Sequence, residues 1–165
     1  MNARKESNAE SNRTSVERTS DRELVISRTF DAPARLVFDA WTKPDLMKKW
    51  WVPKSTGLKL LSCEQDVRTG GSYKLVFEHG DSTMAFIGKY LEVVPASRLV
   101  WTNDESENGS VTTVTFEEKD GKTLLVMHER YPSKEAFDEG HGMEDGLAES
   151  FEQLDEVLAA LPRKF

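Results

Sequence analysis

Residues 143–161, MEDGLAESFEQLDEVLAAL, decide the fold. Met143, Leu147, Phe151, Leu154, Leu158 and Leu161 recur at steps of four, four, three, four and three, the period of one helix face. A helix carrying one long apolar stripe must lay it on another layer of structure. Gly140, Gly142 and Gly146 each cost a helix about 1 kcal/mol relative to alanine, so the spacing predicts a loosened turn near His141.

The layer that receives the stripe is written upstream. From Leu58 to Tyr131, short β-rich runs are separated by Gly70-Gly71, Gly80-Asp81, Pro95-Ala96, Asn108-Gly109 and Asp120-Gly121, the residues of tight hairpin turns. Alternation puts Tyr73, Leu75 and Phe77 on one face, and likewise Met84, Phe86, Gly88 and Tyr90; Leu99 and Trp101; Val114 and Phe116; Leu124, Val126 and His128. Glu23 to Phe30 reads as a further strand, ended by Asp31-Ala32-Pro33. Pro33 suits the first position of a short helix bearing Val37, Phe38 and Trp41. Thr42, with Asp45 three residues on, reads as the cap of a second helix bearing Leu46, Met47 and Trp50.

The expected fold is therefore α+β: a curved antiparallel sheet of about seven strands, two short helices after the first strand, and a long C-terminal helix that the sheet wraps. Where a curled sheet closes on one helix, side chains fail to meet and leave a cavity. Residues 1–22 are polar and nearly lack large apolar side chains, so they read as a disordered tail before a domain spanning 23–165.

Composition narrows the function. Hydrophobic residues make up 38% and charged residues 31%, with no apolar run near the ~20 residues of a membrane span, so a water-soluble chain without membrane association is expected. The N-terminal stretch has no apolar centre of the kind an export signal needs, and Cys63 is the single cysteine, which fits a reducing cytoplasm. A net charge of −7 and the absence of a basic, aromatic-interleaved run argue against nucleic acid.

The motifs Arg28-Thr29-Phe30-Asp31-Ala32-Pro33, Val37-Phe38-Asp39-Ala40-Trp41-Thr42, Pro44 and Trp50-Trp51-Val52-Pro53 carry a resemblance. So do Asp66-Val67-Arg68-Thr69-Gly70-Gly71-Ser72-Tyr73, Gly88-Lys89-Tyr90-Leu91-Glu92-Val93, Arg98-Leu99-Val100-Trp101-Thr102 and Gly142-Met143-Glu144-Asp145-Gly146. In this order they resemble the START-like (SRPBCC) helix-grip superfamily, in the branch named after the activator of the heat-shock protein 90 ATPase. The resemblance covers nearly everything after the tail and implies the helix-grip fold. It leaves function open among lipid and sterol carriers, hormone binders, polyketide cyclases and co-chaperones.

The candidate ligand-binding residues are Trp50, Trp51, Tyr73, Phe77, Phe86, Tyr90, Trp101 and His128 from the front of the domain and the sheet, with His141, Met143, Leu147 and Phe151 around the long helix. Aromatics at regular spacing also read as plain core. Adjacent helical residues point about 100° apart, so Trp50 and Trp51 cannot share one buried stripe, and one is expected at an edge or cavity mouth, with His141 nearby. His128 is placed toward the apolar interior, as a ligand contact or as a buried histidine satisfied by neighbours. Glu129, Arg130 and Tyr131 offer a base, a cation and a phenol, but alternation divides them between two faces. Glu64, Asp66 and Arg68 read as a charged outer row, and Cys63 as a small strand residue. No histidine pair has metal-ligand spacing and no dinucleotide or paired-cysteine motif is present, so neither metal nor cofactor is expected. The preferred reading is a monomer or homodimer that binds a small apolar or aromatic molecule without transforming it. The alternatives are a cyclase- or aromatase-type enzyme with His128 as acid–base group, and a co-chaperone.

Overall fold

A computed structural model describes residues 14–102, 110–135 and 143–161. Eight antiparallel strands run in chain order: β1 (Ser15–Ser20), β2 (Glu23–Phe30), β3 (Lys59–Gln65), β4 (Ser72–His79), β5 (Ser82–Val94), β6 (Arg98–Thr102), β7 (Val111–Lys119) and β8 (Lys122–Arg130). Between β2 and β3 lie α1 (Ala34–Thr42), α2 (Pro44–Trp50) and a 3-10 turn at Lys54–Thr56, and the long helix α3 spans Met143–Ala160. The sheet order is β1-β2-β8-β7-β6-β5-β4-β3, a meander in which β2 crosses to lie beside β8. No helix among the described residues is long and apolar enough to cross a membrane.

The α+β helix-grip architecture expected from the sequence is the one observed. β5 makes the sheet curl: its first part, to Lys89, pairs with β4, its last part, from Tyr90, pairs with β6, and the register shifts between Tyr90 and Glu92. Gly88 sits at this bend. A Cβ there would lie 2.1 Å from the Thr102 carbonyl oxygen and 2.4 Å from the Tyr73 hydroxyl, so only glycine lets Tyr73 cross β5 and donate its O–H to that carbonyl. Leu147, Phe151, Leu154 and Leu158 of α3 are buried, as the stripe predicts. The loosened turn expected near His141 and the Asn108-Gly109 turn lie outside the described residues.

Three local expectations change. The tail assigned to residues 1–22 contains β1, which pairs with β2 from Ser15 to Ser20; every residue of β1 is exposed, so it is held by backbone hydrogen bonds rather than by a core face. Residues 1–13 lie outside the described ones. Thr42 closes α1 instead of capping α2: its hydroxyl donates to the Phe38 carbonyl at 2.9 Å, while Lys43 stands at the α2 N-cap without a side-chain bond. On β8, Thr123, Leu125, Met127 and Glu129 face inward, and the set Leu124, Val126 and His128 faces outward, opposite to the expected parity.

Candidate functional site

The concave face of the sheet carries two adjoining cavities that share a wall of Trp51, Phe77 and Trp101. The first, of about 190 Å³, is completed by Trp41, Met47, Gln65, Tyr73, Leu75, Phe86 and Tyr90. The second, of about 400 Å³, lies toward α3 and is completed by Val52, Pro53, Thr56, Leu58, Met127, Glu129, Gly146, Leu147 and Ser150.

Trp51 owes its place in the shared wall to polar bonds from α3. Ser150 Oγ donates to the Trp51 carbonyl at 2.8 Å, and Gln153 Nε2 donates to the carbonyls of Trp50 and Val52 at 3.0 and 2.9 Å. Gln153 Oε1 accepts from the Lys54 amide at 2.9 Å, and the Glu149 carboxylate accepts from the Ser55 amide at 3.0 Å and from the Ser55 hydroxyl. The chain after α2 is thereby tied to three polar side chains of the helix, Glu149, Ser150 and Gln153, which satisfy its backbone groups where it packs on α3.

The neighbouring rings part as adjacent helical positions must. Trp50 is 0% exposed, donates its indole N–H to the Ala40 carbonyl at 2.9 Å and packs on Trp41 and Phe151; it is core and lines neither cavity. Trp51 is only half-buried and lines both. Phe151 is likewise core, edge-on to Phe30 and against Trp41. Of the remaining expected residues, Tyr73, Phe77, Phe86, Tyr90, Trp101 and Leu147 line the cavities. Phe86 is 47% exposed and stacks edge-on with Phe77, so the first cavity opens beside the β4–β5 hairpin rather than at Trp50. Met143 begins α3, and His141 lies outside the described residues.

His128 lines neither cavity. Its Nε2 lies 2.9 Å from Glu23 Oε1 on the outer face, and that contact holds the Glu23 carboxyl below its ordinary range. The inward residue is its neighbour Glu129, 3% exposed, whose carboxylate accepts a hydrogen bond from Thr112 Oγ1. Burial pushes the Glu129 carboxyl up to about 7, and the Thr112 bond opposes this only in part. The sequence contains the signal that finds it. A two-residue turn at Asp120-Gly121, where both residues have positive φ, pairs Lys119 with Lys122; counting back pairs Phe116 with Leu125, Val114 with Met127 and Thr112 with Glu129. Directly opposed residues share a face, so the inward Val114 and Phe116 carry Glu129 inward with them.

The polar inventory is otherwise small. In the first cavity, Gln65 Nε2 donates to the Trp41 carbonyl and to Tyr90 Oη, each at 3.0 Å, and burial raises the Tyr90 phenol to about 12, so it stays protonated. The Trp41 indole N–H is buried with no hydrogen-bond partner among the described residues. Glu64 and Arg68 are exposed, with Arg68 bonded to Asp66, as the charged-row reading has it.

Residues 31–159 match the family described as activator of Hsp90 ATPase homolog 1-like protein. The chain belongs to this family. Solved structures share its fold. A protein from Rhodobacter sphaeroides superposes with a TM-score of 0.83 at 24% identity, covering 90% of this chain and 99% of that one. A protein from Mycobacterium smegmatis gives 0.76 at 26% identity, covering 90% and 98%. An AHSA1-like protein from Aeromonas hydrophila gives 0.70 at 19% identity, covering 86% and 97%. No curated protein matches the chain.

Proposed function

We propose that this AHSA1-like domain binds a small apolar or aromatic molecule in the paired cavities between sheet and α3 and does not transform it. One observation carries the reading: two contiguous cavities walled by Trp51, Phe77 and Trp101, whose remaining lining is mostly apolar. Burying about 200 Å² of apolar ligand surface at roughly 25 cal/mol per Å² gives a gross gain of about 5 kcal/mol, from which the cost of capture is subtracted. The acid–base role considered for His128 finds no support, because that imidazole sits on the outer face beside Glu23. Native mass spectrometry of gently purified protein is expected to show an added small mass, and differential scanning calorimetry to show a melting temperature raised by apolar ligands. A protein that carries no added mass and ignores a broad apolar panel overturns the proposal.

A further inference from the structure

We propose that the molecule held in the larger cavity carries a protonated amine, read by the Glu129 carboxylate on one side and by the aromatic wall of Trp51, Phe77 and Trp101 on the other. This rests on the binding function proposed above and names the chemistry of its ligand. The argument begins with what surrounds Glu129. Thr112 reaches it from β7, and Leu24 stands opposite it on β2. Gly146, Leu147 and Ser150 complete the cavity from α3, and Val52, Pro53, Thr56 and Leu58 from the chain after α2. None of these carries a charge. The inward cation of β2, Arg28, is bonded to Asp155 of α3, and on β8 the neighbours His128 and Arg130 face outward. Glu129 is thus the one ionisable group among the described residues of that cavity lining.

A carboxylate in an apolar space, with no cation beside it among the described residues, is costly until a positive charge arrives. Aromatic rings in the same wall favour an organic ammonium over a hydrated metal ion, since their electron-rich surfaces attract cations that have shed water. Three aromatic residues border the space that Glu129 borders. The net charge of −7 adds a general attraction for cations and repels anionic ligands such as fatty acids. A neutral apolar molecule would fill the volume but leave the acid without a charged partner.

The reading makes affinity depend on pH in a definite direction. Burial holds the empty-site carboxyl at about 7, so below that pH an ammonium must displace one proton from Glu129 in order to bind. Affinity for an amine therefore rises roughly tenfold per pH unit up to 7 and levels off above it, until the amine itself deprotonates.

The test uses two matched pairs: tryptamine with its neutral isostere 3-propylindole, and 2-phenylethylamine with propylbenzene. Isothermal titration calorimetry on the full chain is expected to show the amine of at least one pair binding at pH 8 at least tenfold more tightly than its isostere. At pH 6 it should also show release of about one proton, read from two buffers of different ionisation enthalpy. Glu129→Gln is expected to lose tenfold or more for the amine and less than twofold for the isostere. Should that variant fail to fold, the proton release and pH profile of the unaltered protein decide the matter alone. Isosteres binding as tightly as their amines, or four probes that all fail to bind, overturn this inference, whereas the binding function falls only if the protein also carries no added mass and ignores the broad apolar panel.

Discussion

Glu129→Gln also makes a quantitative prediction about stability, independent of any ligand. In the folded chain the carboxyl is raised from 4.5 to about 7 by burial, so the native state holds its proton more tightly than the unfolded chain does. Between those two values the native state binds more protons than the unfolded state, and stability falls as pH rises. Below 4.5 both states are protonated and the penalty is absent; above 7 both are ionised and it is complete. A gap of about 2.5 pKa units corresponds to a penalty of about 3 kcal/mol, of which about 2 to 3 develops between pH 5 and pH 8. Glutamine keeps the shape and can still accept from Thr112, but it does not ionise. Urea unfolding of both proteins at pH 5 and pH 8 is the assay. The stability difference between variant and parent should shift toward the variant by about 2 to 3 kcal/mol from the lower pH to the higher, or about 1–2 M in midpoint for a domain of this size. Comparing the two proteins cancels the contributions of Asp155, Glu23 and Glu149, which titrate alike in both. Parallel pH profiles for parent and variant would refute the burial argument.

Three further outcomes follow from the geometry. Gly88→Ala places a methyl group against the Thr102 carbonyl and the Tyr73 hydroxyl and should cost ~2 kcal/mol or more; an unchanged melting temperature would show that the bend tolerates a side chain. Asp155→Asn deprives the buried Arg28 guanidinium of its carboxylate and should cost about 1–3 kcal/mol by urea unfolding, the half-exposed position of Asp155 keeping the loss moderate, and no change would contradict the ion-pair reading. Burial pushes the Cys63 thiol up to about 11, so at pH 8 only about a thousandth is thiolate and a disulfide reagent should react slowly with the native protein and rapidly in denaturant; fast native reaction would disprove it.

The sequence made some of this legible and hid the rest for identifiable reasons. The α3 stripe and the glycine-marked hairpins were readable because burial of one face imposes a period on the side chains. The divergence of Trp50 and Trp51 followed from helix geometry alone. β1 was not readable, since an edge strand with every residue exposed leaves no apolar pattern and joins the sheet through its backbone. The inverted face of β8 has another origin. Leu124, Val126 and His128 look as inward as Leu125, Met127 and Glu129 when the strand is read by itself, and only the register set by Asp120-Gly121 separates them. The site residue of greatest chemical interest, Glu129, was therefore hidden by a parity that a neighbouring strand fixes.

The aromatic wall has an optical consequence. The chain contains four tryptophans, and Trp41 touches the other three, with ring centroids 4.8 Å from Trp50, 5.7 Å from Trp51 and 5.8 Å from Trp101. At such separations indoles share electronic excitation, so light absorbed by the buried Trp50 can leave as emission from a ring that borders the cavities. The four chromophores act as one antenna whose colour and near-ultraviolet circular dichroism are set at the site itself, and the protein thereby contains its own label-free sensor of whatever enters.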